Sequence, residues 1–390
     1  MAKSGPNYKV NGKEYYRVSL EIGRDATGKR KTKFFTGKTK KEANQKKQEY
    51  INKQILGLKD TKTLWFAQTF NSWLFEVVKM SDIKPTTFAR YEGLYRNYIN
   101  DSPLACISID KIEPMSIQRY YNDLFKKQKK SSSQISYLNK FIRKFFNYCV
   151  DCGYIVNNPC SGNKISLPKE KRSEAIAKKV EIFTDDELNK MLNSDDCKIK
   201  YISLFSLATG MRRGEVIALK ESDIDIKHNE IHIRRTIATT AIFDENNIKT
   251  KQTIVQEPKT KNSIRDIPLP NSLKSIIKKA KLIRNEEKFK AGESYSTKNL
   301  DYLFLSERGN FINAGNLDKT WAKFLKNIDI PHKKFHTLRH TYATKQFEND
   351  IPLKTVSTLL GHGDIGITAD IYTHVLKKQK EKSVDILEII

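Results

Sequence analysis

Four short segments in the second half of the chain place arginine, lysine and histidine side chains in a set that could break a phosphodiester bond. They are Thr209–Glu215, the stretch around Lys259, His336–His340 and Leu360–His362, and Tyr372 follows ten residues beyond the last histidine. Each piece alone means little, since arginines are usually surface residues and this is one tyrosine among 17. Their combined order and spacing indicate a catalytic set.

Hydroxyl attack on a phosphodiester requires these side-chain types. The pentacoordinate phosphorus gathers negative charge on its non-bridging oxygens, and two guanidiniums can bind those oxygens with paired hydrogen bonds. A phenol can attack and hold a covalent phosphotyrosine, and an imidazole can donate or move a proton. A lysine can protonate the departing 5′ oxygen. Because the covalent link conserves the bond energy, rejoining would need no ATP. It would need no metal ion either, because side chains supply the cations.

On these residues the chain resembles the tyrosine recombinase family, also called phage integrases, most specifically from Thr184 to Val375. The segments match the family's T-G-x-R-x-x-E, H-x-x-R and L-G-H motifs, its hairpin lysine and its I-Y-T-H-like nucleophile context. The resemblance implies a DNA breaking and rejoining enzyme with no cofactor and no metal. The catalytic residues that it implies are Arg212, Lys259, His336, Arg339, His362 and the nucleophile Tyr372.

The resemblance also implies a role for each residue. The two arginines and His362 would hold the phosphate, His336 would assist proton transfer, and Glu215 would be a buried structural partner of the first arginine. Lys259 would protonate the leaving oxygen, with Lys261 as the alternative general acid. All the expected positions carry the expected residue types, which argues against an inactive member. Glycines follow the L-G-H motif where the family more often has serine, and they remove no catalytic group.

The charge of the chain predicts a polyanionic partner. Lysine and arginine total 71 against 45 acidic residues, a formal net charge of +26. With no run of 18 apolar residues and no apolar segment near the N-terminus, we expect a cytoplasmic protein without membrane contact. The five cysteines indicate free thiols, and the Cys149-x-x-Cys152 pair lacks the second pair that a structural zinc site needs.

The pattern of elements predicts a multidomain, mainly α fold with small β-sheets. Residues 1–60, with 16 basic and 6 acidic side chains, would form a small α+β domain, and residues 62–160 an all-α domain. The polar, lysine-rich residues 161–181 would be a linker, and residues 182–390 an α+β catalytic domain with a C-terminal tail.

Several elements are predicted inside these domains. In residues 1–60 we expect strands at Tyr15–Ile22 and Lys31–Phe35, and a helix from Thr39 to about Leu56 that begins with a Thr39–Glu42 capping box. In residues 62–160 the aromatic face of a helix from Ser131 to about Cys152 would be core. The catalytic domain would contain the following elements: a Thr184–Glu187 capping box, a strand at Glu230–Arg234, a hairpin pairing Thr253–Gln256 with Arg265–Leu269 around Lys259–Ser263, and helices resuming from about Asn316. The stretch Thr236–Gln252 has no assigned role.

By the same resemblance, residues 1–60 would bind arm-type DNA sites and residues 62–160 core sites, so that the protein would clamp double-stranded DNA. An arm-binding domain favours the integrase of a prophage or a conjugative element, working as a homotetramer on paired sites. An excision factor and a host DNA-bending protein are the expected helpers. The apolar C-terminal tail, Leu376–Ile390, would dock on a neighbouring subunit or on its own domain. The alternatives are a resolvase or inverting recombinase within one genome, and a non-catalytic DNA-binding protein.

Overall fold

The protein is described here by a computed structural model, in which the chain divides into two compact units, Met1–Lys171 and Arg172–Ile390. The multidomain, mainly helical fold class with small sheets is confirmed. For Lys261 and Tyr372 only the backbone is described. The residues that the structure describes are 6–24, 29–55, 64–169, 181–258 and 261–372.

The first unit begins with a three-stranded antiparallel sheet in the order β1-β2-β3. Strand β2 spans Lys13–Arg24 and β3 spans Arg30–Gly37, which confirms the two predicted strands. A short strand β1, Tyr8–Val10, pairs with the start of β2 and was not predicted. Three residues give too short an alternation to distinguish a strand from a loop.

Helix α1, Lys40–Ile55, packs against one face of this sheet, where the rings of Phe35 and Tyr50 lie 5.4 Å apart. The predicted cap is half confirmed. The Thr39 hydroxyl accepts a hydrogen bond from the Glu42 amide, but the Glu42 carboxylate accepts from the amide of Lys38. Both bonds satisfy amide groups at the start of the helix.

The remainder of the first unit is helical, as predicted. Prolines begin α3 (Pro85–Tyr98) and α4 (Pro114–Lys126) at the first helical position, where the missing N–H costs nothing. A Ser131–Gln134 capping box begins α5. The elements are α2 at Phe66–Ser72, continued by a π-helical turn at Trp73–Val78, α3 at Pro85–Tyr98, a 3₁₀ turn at Ile109–Lys111, α4 at Pro114–Lys126 and α5 at Ser132–Asp151.

Aromatic side chains fill the core of these helices. Phe70 packs on Phe145 with ring centroids 4.4 Å apart and meets Phe141 edge to face at 5.0 Å. Phe66 and Trp73 complete the cluster, and all five are almost fully buried. Their burial confirms that the aromatic face of α5 is core rather than a base-stacking surface.

The second unit is built around a nearly fully buried helix, α7 (Lys198–Thr209), which contacts four other helices: α8 (Arg213–Val216), α9 (Asn271–Ala291), α10 (Ala314–Asn327) and α11 (Thr337–Glu348). The Thr184–Glu187 capping box at the start of α6 is confirmed. The helices are α6 at Asp185–Asn193, α7 at Lys198–Thr209, α8 at Arg213–Val216, α9 at Asn271–Ala291, α10 at Ala314–Asn327, α11 at Thr337–Glu348, α12 at Leu353–Leu360 and α13 at Ile365–Tyr372, with 3₁₀ turns at Glu221–Asp223, Lys261–Ser263 and Gly292–Ser294.

The strand pairing of the second unit corrects the predicted hairpin. Strand β7, Lys249–Gln256, pairs with β6, Thr236–Phe243, in a two-stranded ribbon. Strand β8, Arg265–Pro268, pairs instead with β5, Glu230–Ile233, which in turn pairs with β4, Ile224–Asp225. Apolar side chains of β5 and β8 point into the same core, so β8 gains more from pairing there than in an exposed ribbon.

The long helix α9 is a second correction, because helices were predicted to resume only from about Asn316. Leu273, Ile277 and Ala280 are buried at helical spacing on one face of α9. This repeat was present in the sequence, but the many lysines between these positions obscured it.

Within the described residues, no helix combines the length and the apolar character needed to cross a bilayer. No group of three or more histidine, cysteine or acidic side chains among these residues lies close enough together to hold a metal ion.

Candidate active site

The first arginine of the predicted set is fixed by a buried carboxylate. Arg212 precedes the short helix α8, and its Nη1 donates to Oε1 of Glu215 at 2.7 Å, while its amide donates to Oε2 at 2.9 Å. The Glu215 side chain is 2% exposed, whereas that of Arg212 is 36% exposed. Glu215 therefore holds the arginine from the inside of the unit and leaves part of its guanidinium open to a ligand.

The second arginine lies deeper. Arg339, in the first turn of α11, is 1% exposed, and its Nη1 donates to the carbonyl oxygen of Gly210 at 2.7 Å. Burial lowers the pKa of its guanidinium to about 9, and the charge of Arg212 acts in the same direction, so Arg339 remains cationic at neutral pH. A buried cation held chiefly by carbonyl groups favours the approach of an anion.

Three arginines meet at the C-terminal end of α12. The carbonyl oxygen of Leu359 accepts from Arg265 Nε at 2.6 Å, and that of Leu360 accepts from Arg339 Nη2 at 2.7 Å. The carbonyl oxygen of Gly361 accepts from Arg212 Nη2 at 3.2 Å. The last carbonyls of a helix have no partner within the helix and carry its negative partial charge. The three guanidiniums therefore stabilise the C-terminal end of α12, and its carbonyl groups in turn fix the orientation of the guanidiniums.

Gly361 makes this arrangement sterically feasible. It ends α12 in the left-handed conformation, with φ at +67°. A Cβ placed there would lie 2.7 Å from the carbonyl oxygen of Asn262 and 3.0 Å from Cδ of Arg265. The glycine of the L-G-H motif is thus required both by its backbone angle and by the close approach of the turn at Lys261–Ser263.

His362 follows directly and is oriented by the next helix. Its Nδ1 lies 2.7 Å from the hydroxyl oxygen of Thr368, which is fully buried in α13. This contact leaves Nε2 as the ring nitrogen available to a ligand. Thr368 and Tyr372 are four residues apart in α13, about one helical turn, so this helix links the histidine segment to the backbone of the predicted nucleophile.

The two predicted histidines are neutral at pH 7. Burial lowers the pKa of His362 to about 4, helped by the charges of Arg339 and Arg212. His336, at the start of α11, has a more exposed side chain than His362. Desolvation by the protein around the ring nevertheless lowers its pKa to about 4, and the neighbouring His340 acts in the same direction. The His340 ring meets that of His336 edge to face at 4.8 Å.

The site carries uncompensated positive charge. Arg212, Arg265 and Arg339 lie around the carboxylate of Glu215, so two of the three cations have no balancing anion within this group. The charges of all three arginines lower the pKa of His362, which means that the three side chains lie close to the His362 ring. This excess of donors and cations suits an oxyanion such as a phosphate.

The structure thus brings together four predicted residues, Arg212, His336, Arg339 and His362. It places Tyr372 at the end of α13, with nothing described of its side chain. The predicted general acid, Lys259, lies outside the described residues, as does the C-terminal tail.

Two site residues, Arg265 and Thr368, escaped the sequence analysis. An arginine in a strand and a threonine in a helix carry no signal by themselves. The alternation of Arg265 with Asp266, Ile267 and Pro268 did offer a hint, because it places the arginine on the same face of β8 as the buried isoleucine.

Replacement of Thr368 by valine is expected to slow the DNA cleavage that the resemblance implies about tenfold, the effect of losing one hydrogen bond that holds the His362 ring. Single-turnover cleavage of a DNA substrate measures the effect. Thr358→Val is the matched control, since its hydroxyl only donates to the Lys354 carbonyl within α12. Equal cleavage rates for the two variants would contradict a role for Thr368.

Binding of a DNA phosphate, the ligand that the resemblance implies, is expected to take up protons. A phosphate in the site favours the imidazolium form, so the pKa values of His336 and His362 should rise from about 4 on binding. Affinity should therefore increase as the pH falls from the raised values towards 4. Calorimetry at pH 6 in two buffers of different ionisation enthalpy measures this uptake, and His362→Gln should reduce it. Equal uptake in this variant would refute the assignment.

Two family models match the chain. Residues 181–379 match the phage integrase family, and residues 65–125 match the family described as the phage integrase N-terminal SAM-like domain. The first match covers the whole candidate site, and the second lies within the helical part of the first unit.

Individual relatives agree with these matches. A protein of Caldanaerobacter subterraneus subsp. tengcongensis named "Tyrosine recombinase XerC-like" is 48% identical over 390 residues, 99% of each chain. The integrase of Staphylococcus phage L54a is 26% identical, with 84% of this chain and 94% of the relative covered. Among solved structures, the fold is similar to that of the Tn1549 transposon integrase with transposon right end DNA, at a TM-score of 0.65 and 17% identity, covering 83% of this chain and 99% of that chain.

Proposed function

The chain belongs to the phage integrase family of tyrosine recombinases, DNA breaking and rejoining enzymes, and from this premise we propose that it integrates and excises a mobile element. The observation that carries the proposed chemistry is the convergence of Arg212, Arg339 and His362 on one positively charged place that includes the end of α12. A scissile phosphate is the proposed occupant of this place.

The proposed reaction has two rounds of strand exchange. The phenolic oxygen of Tyr372 bonds to phosphorus while the bond from phosphorus to the 5′ oxygen breaks, which gives a 3′-phosphotyrosine and a free 5′-hydroxyl. Lys259 protonates the departing oxygen. The 5′-hydroxyl of the partner strand then attacks the phosphotyrosine and releases the tyrosine, and a second round exchanges the other strands.

Arg212 and Arg339 stabilise the charge that develops on the non-bridging oxygens. Because both guanidiniums are already held by Glu215 and by backbone carbonyls, they need little reorganisation when the phosphate reaches the transition state. His362 offers its Nε2 to the same phosphate, and His336 assists proton transfer.

The N-terminal sheet supports an integrase in preference to a resolvase. The side chain of Arg17 lies over the rings of Phe34, at 3.8 Å, and Tyr8, at 4.4 Å, on the sheet face opposite α1. Phe34 is 51% exposed, and an arginine beside an exposed aromatic ring suits a DNA groove. We assign residues 1–60 to arm-type DNA sites and residues 62–160 to core sites.

The similar structures support DNA as the partner. The Tn1549 transposon integrase was solved with transposon right end DNA, and a lambda integrase dimer with a core site, the latter at a TM-score of 0.52 and 17% identity. A homotetramer on paired sites, an excision factor, a host DNA-bending protein and docking of the C-terminal tail on a neighbouring subunit complete the proposal.

A resolvase that acts within one genome is the second candidate, favoured by the name of the relative that is 48% identical. A plasmid recombination assay separates the two, with sites taken from the DNA that flanks the gene. An integrase joins sites on two separate plasmids, whereas a resolvase recombines only directly repeated sites on one plasmid.

The double variant Arg17→Ala, Phe34→Ala tests the role of the sheet in the same assay. It should lose recombination between two plasmids while it still cleaves a core site, and Phe289→Ala, which removes another exposed ring, should keep both activities. Full recombination between plasmids by the double variant would refute the arm-binding role.

A further inference from the structure

We propose that Arg265 is a positioning residue of this active site, which connects the turn after Lys259 to the arginine–glutamate pair and to the His362 segment. This inference rests on the function proposed above. Arg265 does not approach the phosphate in this scheme. It acts through the residues that do.

The contacts of Arg265 span three segments that are far apart in sequence. Its Nη2 pairs with Oε2 of Glu215 at 3.0 Å, and its Nε donates to the carbonyl oxygen of Leu359 at 2.6 Å. Its Nη1 donates to the carbonyl oxygen of Ser263, in the turn that leads into β8, at 3.1 Å. One guanidinium thus uses all three of its nitrogens, and each bond goes to a different part of the site.

Burial makes these bonds strong constraints. Arg265 is 8% exposed, and its partner Glu215 has a side chain that is 2% exposed. In so dry an environment an ion pair is held rigidly, and loss of one partner leaves an uncompensated charge. Gly361 packs so closely on Arg265 that even a Cβ there would meet its Cδ at 3.0 Å.

Glu215 divides its two oxygens between the two arginines. Oε1 accepts from Arg212, and Oε2 accepts from Arg265 as well as from the backbone amide of Arg212. Without Arg265 the carboxylate would have one guanidinium instead of two and would rotate towards it. The position of Arg212 therefore depends on a residue that is 53 positions later in the chain.

The same side chain sets the position of His362. Arg265 binds the carbonyl of Leu359, Arg339 binds that of Leu360, and Arg212 binds that of Gly361, immediately before the histidine. Removal of the first bond frees the end of α12 from the turn at Lys261–Ser263. Since misplacement of a catalytic group by about 1 Å can cost about a hundredfold in rate, the chemical step should be sensitive to this bond.

Arg284 provides a matched control within the same unit. It also pairs with a carboxylate, that of Glu221 at 2.7 Å, and donates to two carbonyl oxygens, those of Leu300 at 3.1 Å and Tyr302 at 2.8 Å. Its side chain is 13% exposed, and neither Glu221 nor these carbonyls belong to the site. Arg284→Met thus removes the same kinds of bonds without touching the catalytic segments.

The experiment compares full-length Arg265→Met, Arg265→Lys and Arg284→Met with the wild type. DNA affinity and the single-turnover rate of covalent adduct formation are measured on a nicked duplex, at a temperature where thermal melting shows each variant folded. The second readout is the NMR signal of the His362 ring in the protein without DNA, assigned by its loss in His362→Gln.

We expect Arg265→Met to form the adduct about a hundredfold more slowly, with DNA affinity changed less than about threefold. Arg265→Lys should recover part of the rate, since its ammonium still neutralises Glu215 but cannot reach all three partners. The His362 signal should move in Arg265→Met and stay in place in Arg284→Met, whose adduct rate should remain near that of the wild type.

An Arg265→Met protein with the wild-type adduct rate overturns the inference, and so does an equal loss of rate in Arg284→Met. If the wild type forms no adduct, the proposed function fails, and the NMR comparison alone then decides the positional role. In that case an unmoved His362 signal in Arg265→Met rejects it, and a moved signal supports it.

Discussion

Replacement of Arg339 by lysine is expected to slow formation of the covalent DNA adduct by about a hundred- to a thousandfold, the usual cost of losing one donor to a developing oxyanion. Arg339 is 1% exposed and uses two nitrogens to bind the carbonyls of Gly210 and Leu360. Lysine keeps a charge but cannot hold both carbonyls and a phosphate oxygen from one planar group.

The measurement is the single-turnover rate on a nicked duplex at saturating protein. Arg213→Lys is the matched control, because this neighbouring arginine pairs with Asp318 and carries no role in the proposed mechanism. If Arg339→Lys reacted at the wild-type rate while it bound DNA normally, the phosphate would have to lie elsewhere.

Replacement of Tyr372 by phenylalanine should abolish the adduct altogether, because it removes the oxygen that attacks phosphorus in the cleavage step of the proposed mechanism. The ring is retained, so folding and DNA affinity should stay close to those of the wild type. Denaturing gels of the same nicked substrate measure this loss.

Tyr342→Phe serves as its control. Tyr342 packs against the site near Gly210, and burial raises the pKa of its phenol, which makes it a poor nucleophile. This variant should still form the adduct. An adduct that persists in Tyr372→Phe and disappears in Tyr342→Phe would transfer the role to the buried tyrosine.

Much of the fold follows from local signals in the sequence. Capping boxes and the aromatic repeat of α5 are short-range features, and the structure confirms the capping box at Thr184 and the buried aromatic face of α5. Arg212, His336, Arg339 and His362 could be named because the chain resembles a family whose motifs have fixed spacing within each segment. Their convergence is a tertiary fact that spacing alone does not establish.

The incorrect or missing predictions concern features that depend on contacts between segments far apart in the sequence. Strand β8 has the alternation of a hairpin partner for β7, but burial of Ile267 beside Ile231 and Ile233 pairs it with β5. Arg265 shows the same limit, since its partners Glu215 and Leu359 lie 50 positions before it and 94 positions after it. Nothing local distinguishes such an arginine from a surface residue.

The most direct test of the central claim is to trap the reaction and locate the bond. The wild-type protein is incubated without metal or ATP with a nicked duplex from the DNA that flanks its gene, then digested, and the modified peptide is identified by mass spectrometry. We predict a nucleotide joined through its 3′ phosphate to Tyr372. Cleavage without an adduct, an adduct on another residue, or a strict requirement for a divalent metal would contradict it.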